Sequence, residues 1–431
     1  MSALVIENAR IIDPASGRDI KGALLADEGK ILDVVEGKAP GAPANVSRVD
    51  AKGLVLAPGL IDMRVFTGEP GHEYRETLES ASEAAAAGGV TSFVTMPDTS
   101  PVIDDGALVD FILRRAQATA KVNILPSAAM TKGTLGKEIT EFGLLKEAGA
   151  VCFTDGRKSV GDTALLRSAF TYSANFDMPI VNHLSDAGLT GDGVMNEGLM
   201  ATGLGLKGIP AAAEMIPLER DLNLVALTGV RYHAAQLSAA ASVDIIARHK
   251  KTLQNISAGV SINNLSLNEH DIGAYKTFFR LSPPLRSEDD RQALVAGLKS
   301  GIIDVIHSGH DPQDVETKRQ PFAEAVDGAI GLETLLSAAL RLLHSGDIDL
   351  TTVLRAMTSR PAEILGLNSG CLKKGAPADL VLIDLDYPWV VKENEIHSKS
   401  RNTTFEGARF SGKVIETFVA GQSVYRFSEA K

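Results

Sequence analysis

Three residues able to bind a metal or move a proton crowd the end of one apolar run: His307, His310 and Asp311 in IDVIHSGHDP. Imidazole nitrogens and a carboxylate in such a cluster could hold one zinc ion, and a bound zinc lowers the pKa of its water to about 7, supplying hydroxide at neutral pH. The same three side chains could instead form a hydrogen-bonded loop cluster with no metal. His183, in PIVNHLSD, offers the same pair of readings: a ligand, or a strand-end histidine held by a neighbour such as Asp186. Cys152 and Cys371 are the only cysteines, in apolar or glycine-flanked settings, so they predict buried thiols without a disulfide, as suits a reducing compartment. No GxGxxG or P-loop segment opens a helix after an apolar run, which weakens any nucleotide-binding reading.

The elements that must carry these residues follow from the apolar patterning. β-type runs alternate with helix-type stretches: GLIDMRV and then a helix over residues 73–87, VTSFVTM and a helix through Phe111, VNILPSAAM and a helix over 138–148. AVCFT, PIVNHL, GVRYHAAQL, NISAGVSI and IDVIHSGH continue the series, which makes eight strand candidates. Repeated βα units predict a parallel sheet, and eight of them predict a closed α/β barrel of the TIM type, with its functional site at the strands' C-terminal ends. A doubly wound open sheet is the fallback. Both ends of the chain carry short β-type runs broken by Gly, Pro and Asp, and these are expected to pair into one small β unit beside the barrel.

Composition narrows the function classes. A formal net charge of -11 argues against a broad nucleic-acid-binding surface, which needs clustered Lys and Arg. The opening residues MSALVIENARIIDP lack the basic start and apolar core of a secretory signal, and no segment is long and apolar enough to span a bilayer. A cytoplasmic protein with neither nucleic-acid nor membrane partners is therefore expected.

The stretch APGLIDMRVFTGEPGHEYRETLESASEAAAAGGVTSFVTMPDTSPVID, from Ala57 to Asp104, resembles the opening of the cyclic amidohydrolases, and of dihydroorotases in particular. CFTDG, NHLSD, YHAAQLS, LSPPLR, GAIGLET and the tail CLKKGAPADLVLIDLD extend the likeness in order along nearly the whole chain. The resemblance implies a (β/α)8 TIM-like barrel of the amidohydrolase type over residues 56–365, with a small β-sandwich built from residues 1–55 and 366–431. It also implies metal-dependent opening of a cyclic amide such as dihydroorotate, and at that point this sequence departs from the family pattern.

Where the family places His-x-His after the first barrel strand, this chain has Arg64 and Phe66. Neither can ligate zinc, and a guanidinium about 4 Å from a dication would be repelled by about 8 kcal/mol at an effective dielectric near 20. The second histidine of the family's His-x-x-His falls at Gln236, and the catalytic aspartate of the last strand at Gly309, which can do no acid–base chemistry. The substrate-carboxylate arginine aligns with Gly68, the asparagine of Met-Pro-Asn-Thr with Asp98, and the HHL segment with Asn263-Asn264-Leu265. An acidic Asp98 would repel a substrate carboxylate. Asp155 and His183 match family metal positions and remain, but two ligands fall short of the three that catalytic zinc usually has.

These departures leave a vestigial pocket of Arg64, Asp98, Asp155, His183, His310 and Asp311, with no catalytic residue and no metal or other cofactor expected. An ion pair between Arg64 and Asp155 is expected to replace the metal's charge. The resemblance then implies an inactive dihydroorotase-like chain that assembles with aspartate carbamoyltransferase, in a homo- or hetero-oligomer. The enzyme-class alternative is an active dihydroorotase or related cyclic-amide hydrolase, holding zinc in a reduced site built from Asp155 and His183 with Asp311.

Overall fold

The computed structural model describes residues 3–38 and 46–428. Eight parallel strands close a barrel. Leu60–Val65, Val90–Thr95 and Asn123–Pro126 pair in order, as do Ile180–Asn182, Tyr232–Ala234, Ile256–Ser261 and Val305–His307. The fourth strand of the ring is reduced to bridges at Phe153, which joins Ala128 on one side and Ile180 on the other, and a bridge from Val65 to His310 completes the circle. All eight sequence-predicted strands are thus present. Leu60–Val65, Val90–Thr95 and Ile256–Ser261 are buried along their whole length, as parallel strands covered on both faces must be.

Helices return the chain between strands, and their starts are written locally. Thr77 accepts from Ser80 N at the head of Leu78–Ala87, Asp105 from Ala107 N ahead of Gly106–Thr119, and Asp162 from two N–H groups ahead of Thr163–Ala174. Two helices are shorter than expected. Residues 73–77 are not helical because Glu76 turns inward to His310 and Ser398 and Thr77 caps the helix only after it. The helix expected over 138–148 begins at Phe142, since Thr131 and Ile139 form a bridge and Thr140 N donates to Met130 O.

The two ends of the chain share one eight-stranded sheet. Val55–Pro58 lies between Leu4–Asp13 and the antiparallel Leu380–Val390, with Arg409–Val419 and Gln422–Arg426 extending one side and Arg18–Asp27 and Lys30–Glu36 the other. Alternation splits its side chains between two cores: Ile6, Ile11, Leu56, Leu380 and Phe418 pack together, while Ile12, Val55, Val381 and Val414 join the barrel core. This is the small β-sandwich expected beside the barrel. Among the described residues no helix is long and apolar enough to cross a membrane.

One carboxylate ties the barrel's seam. Asp62, fully buried on the first strand, accepts from the backbone N–H of Arg64 at 2.9 Å and of Ser308 beside the last strand at 3.0 Å. Asp62→Ala leaves two buried donors without acceptors, so it should lower unfolding stability by roughly 2–5 kcal/mol. Denaturant melts check this, and an unchanged midpoint would remove the seam role from Asp62.

Candidate functional site

The strands' C-terminal ends meet at a cavity of about 30 Å³, lined among others by Arg64, Phe66, Asp98, Arg157, Gln236 and Asp311. Such a space holds only a few water-sized groups. Ion pairs fill the rest of the barrel mouth. Asp311, just past the last strand, accepts from Arg75 Nη2 at 2.7 Å through Oδ1 and from Arg157 Nη1 at 3.2 Å through Oδ2. Arg157 also donates from Nε to Asp98 Oδ2 at 2.8 Å, and Arg75 from Nε to Pro312 O at 2.7 Å.

Phe66, in the family's histidine position, lies between the same two arginines. The guanidinium carbons of Arg75 and Arg157 stand 4.3 and 5.2 Å from its ring centroid, a cation–π arrangement in a partly desolvated setting. The neighbouring Asp311 and Asp98 carboxylates push Arg157 above its ordinary pKa. The ring therefore spaces the cations around Asp311.

Arg64 stands apart from this network. It is 8 % exposed, and its bonds are both from Nη1: to Gly156 O at 3.4 Å and to Met96 Sδ at 3.9 Å. Burial lowers its pKa, partly offset by the more distant Asp98 and Asp311. The expected pair with Asp155 is absent. Asp155 spends its carboxylate on Thr131, accepting from N at 2.8 Å and from Oγ1 at 2.5 Å, and so is turned away from the barrel mouth. Burial raises its pKa.

The remaining sequence-predicted residues do not converge on a metal. His310 accepts at Nδ1 from Gly331 N at 3.2 Å, which leaves Nε2 to donate to Glu76 at 3.3 Å. His307 reaches Ala235 O at 3.1 Å, and Gln236 donates to Asn264 Oδ1 at 3.2 Å. The cluster of His307, His310 and Asp311 therefore disperses into separate structural bonds. Among the described residues no group of three His, Cys, Asp or Glu side chains is arranged to hold a metal ion. The donor chemistry at this centre does not fit zinc, because Arg64 brings a cation and Asp155 and Asp311 have their oxygens engaged elsewhere.

Asp98 does not stand as a bare acid against a ligand, because Arg157 neutralises it. At Gly68 (φ +71°) any Cβ would lie 2.6 Å from the carbonyl oxygens of both His72 and Glu76, so this tight turn excludes the side chain the family uses there. Gly309 also has a left-handed φ, +61°. Asp186 does not hold His183, whose Nδ1 has no hydrogen-bond partner; Asp186 instead caps a short helix at Leu189. Sequence reasoning passed over Arg75, Glu76 and Arg157, the residues that organise the mouth. The signal available was arginine two positions after Asp155 and in the turn after the first strand.

Residues 53–242 match the family described as Dihydro-orotase-like, and 308–425 match the Amidohydrolase family. A dihydroorotase of Pelobacter propionicus is 41 % identical, covering 98 % of this chain and 99 % of its own length, and one from the Wolbachia of Brugia malayi is 41 % identical over 97 % and 95 %. Among solved structures, the L-hydantoinase of Arthrobacter aurescens superposes with a TM-score of 0.90 at 23 % identity, covering 100 % of this chain and 98 % of its own. Dihydropyrimidinase from Brevibacillus agri gives 0.85 at 20 %, covering 98 % and 95 %. At such identities these two structures speak for the fold alone.

Burial, followed by the nearby Arg64 and Arg157, drives His183 down to about 3. Between the unfolded value of about 6.5 and the folded value, only the unfolded chain takes up the proton, so stability falls as pH falls. Relative to His183→Asn, the parent should lose about 1.4 kcal/mol per pH unit between pH 6 and 4, with no such divergence above pH 7. Denaturant melts at several pH values test this; parallel profiles would show that burial does not hold His183 neutral in the folded chain.

Proposed function

As this chain belongs to the dihydroorotase family of cyclic amidohydrolases, we propose that it is a member without hydrolase activity that serves as an assembly partner of an aspartate carbamoyltransferase chain in pyrimidine biosynthesis. The observation that carries the reading is the barrel mouth itself. Where the family pattern calls for histidines there are Arg64 and Phe66, and Asp311 is locked between Arg75 and Arg157.

Hydrolysis of a cyclic amide requires an activated water, a base to take its proton and room for the ring. Gly309 supplies no base. His310 already donates to Glu76, and a space of about 30 Å³ between the ion pairs is tight for a six-membered ring. An intact fold without this machinery suits a rigid module that other chains pack against. Membership in a homo- or hetero-oligomer follows from that role.

A second reading, a working dihydroorotase or related hydrolase, draws on the 41 % identity to chains bearing that name. The two readings separate in one experiment. The purified chain is reconstituted with zinc, stripped of loosely held metal and assayed for zinc and for dihydroorotate turnover, then mixed with the aspartate carbamoyltransferase of its own organism. We expect far less than one zinc per chain, no turnover, and a stoichiometric complex on gel filtration. About one tightly held zinc per chain together with turnover would establish the hydrolase instead, and failure to form the complex would remove the assembly role.

A further inference from the structure

Buried charges in proteins are ordinarily paired, because desolvating an isolated ion is costly. Arg64 breaks that rule. Among the described residues no carboxylate lies within ion-pair distance of it, and Nε and Nη2 donate to no described residue. Neither nitrogen is sealed within protein atoms, and Arg64 lines the cavity at the barrel mouth. The free face of its guanidinium is therefore presented to that space.

A second buried donor lines the same cavity. Asn263 is 3 % exposed; its Oδ1 accepts from Thr404 Oγ1 at 2.7 Å, and Nδ2 has no partner among the described residues. The neighbouring acids do not compete for these donors. Asp311 has both oxygens bonded to arginine, and Asp98 gives Oδ2 to Arg157. Asp98 Oδ1 is sealed against Gly156, where a Cβ would come within 2.5 Å of it.

We propose that this cavity is a receptor for a small planar carboxylate-type anion, of the size of formate, bicarbonate or acetate, seated between the Arg64 guanidinium and the Asn263 amide. A guanidinium offers two parallel N–H groups that match the two oxygens of such an ion. The amide hydrogen supplies a third contact. The cavity of about 30 Å³ is small and suits an ion of three or four heavy atoms better than a dicarboxylate or a ring. Where the family's chemistry calls for a dication, this chain has reversed the sign of the charge it recruits.

The proposal rests on the reading of the centre as unable to hold zinc, and the two fail separately. Stable zinc uptake would overturn that reading, whereas a chain that takes up neither zinc nor anion would overturn the proposal alone.

The test is calorimetric titration of the full chain, at constant ionic strength in chloride, with sodium formate, bicarbonate, acetate and succinate. We expect one site for the three small anions in roughly the millimolar range, as suits so few atoms, and none for succinate. Arg64→Met removes the cation with little change in volume. Asn263→Asp keeps the acceptor for Thr404 but sets a negative charge where the ion would sit. Each should weaken binding at least about tenfold while leaving a cooperative thermal transition. If Arg64→Met does not fold, Asn263→Asp decides. No heat of binding in the parent at tens of millimolar anion, or unchanged binding in a folded variant, would overturn the proposal.

Discussion

Asp311 between Arg75 and Arg157 is the contact around which the barrel mouth is organised. Two guanidiniums bond to its two oxygens, the arrangement a largely buried carboxylate requires. Arg157 then carries the network to Asp98, while the Phe66 ring packs against both cations. Arg75 follows the first strand, Asp98 the second, Arg157 the fourth and Asp311 the last. Four strand ends are thus joined by charge.

Such a network differs from a metal centre in what it leaves available. A zinc site keeps one coordination position for water. In the ion network each charged group is consumed by another: Asp311 has no oxygen to spare, and Asp98 has one oxygen paired and the other sealed. Glu76 and His310 form a second closed set, with Ser398 and Lys399 N also bonded to Glu76. Closure of this kind holds each of these carboxylates to fixed partners. Buried ion pairs give little net stability over apolar packing, so their contribution here is better described as fixing one arrangement of the strand ends.

The barrel was legible in the sequence because fully buried parallel strands read as short apolar runs at regular spacing, and all eight runs became members of the ring. The pairing of the chain's two ends was legible for the same reason. Helix starts were less so. Glu76 and Thr77 lie in a helix-compatible stretch, but Glu76 bonds to Ser398, more than three hundred residues away, and no local pattern encodes that. At the site, the type of each lost ligand could be read directly, but the partners of the replacements could not. Arg64 and Asp155 are complementary in charge, yet Asp155 bonds to Thr131, which offers two donors, a backbone N–H among them. Arg75 and Arg157 escaped notice because each stands where the pattern gives it no role.

The contrast within this one site is instructive. Arg75 and Arg157 each donate two short or moderate bonds, at least one of them to a carboxylate, whereas Arg64 has one long bond to a carbonyl and a weak contact to sulfur. Position explains the difference. Arg64 is on the first strand itself, its backbone N–H held by Asp62, so its side chain must point into the barrel axis, where the strands present mainly apolar atoms and histidines that burial keeps neutral. Arg75 and Arg157 sit beyond the strand ends on turns that could bend toward Asp311. A residue on a barrel strand inherits its direction from the pleat and cannot seek a partner. The unmet donors of Arg64 are therefore a consequence of placing a long cation at a position whose geometry was fixed by the fold, and whatever satisfies them must come to the cavity from solution.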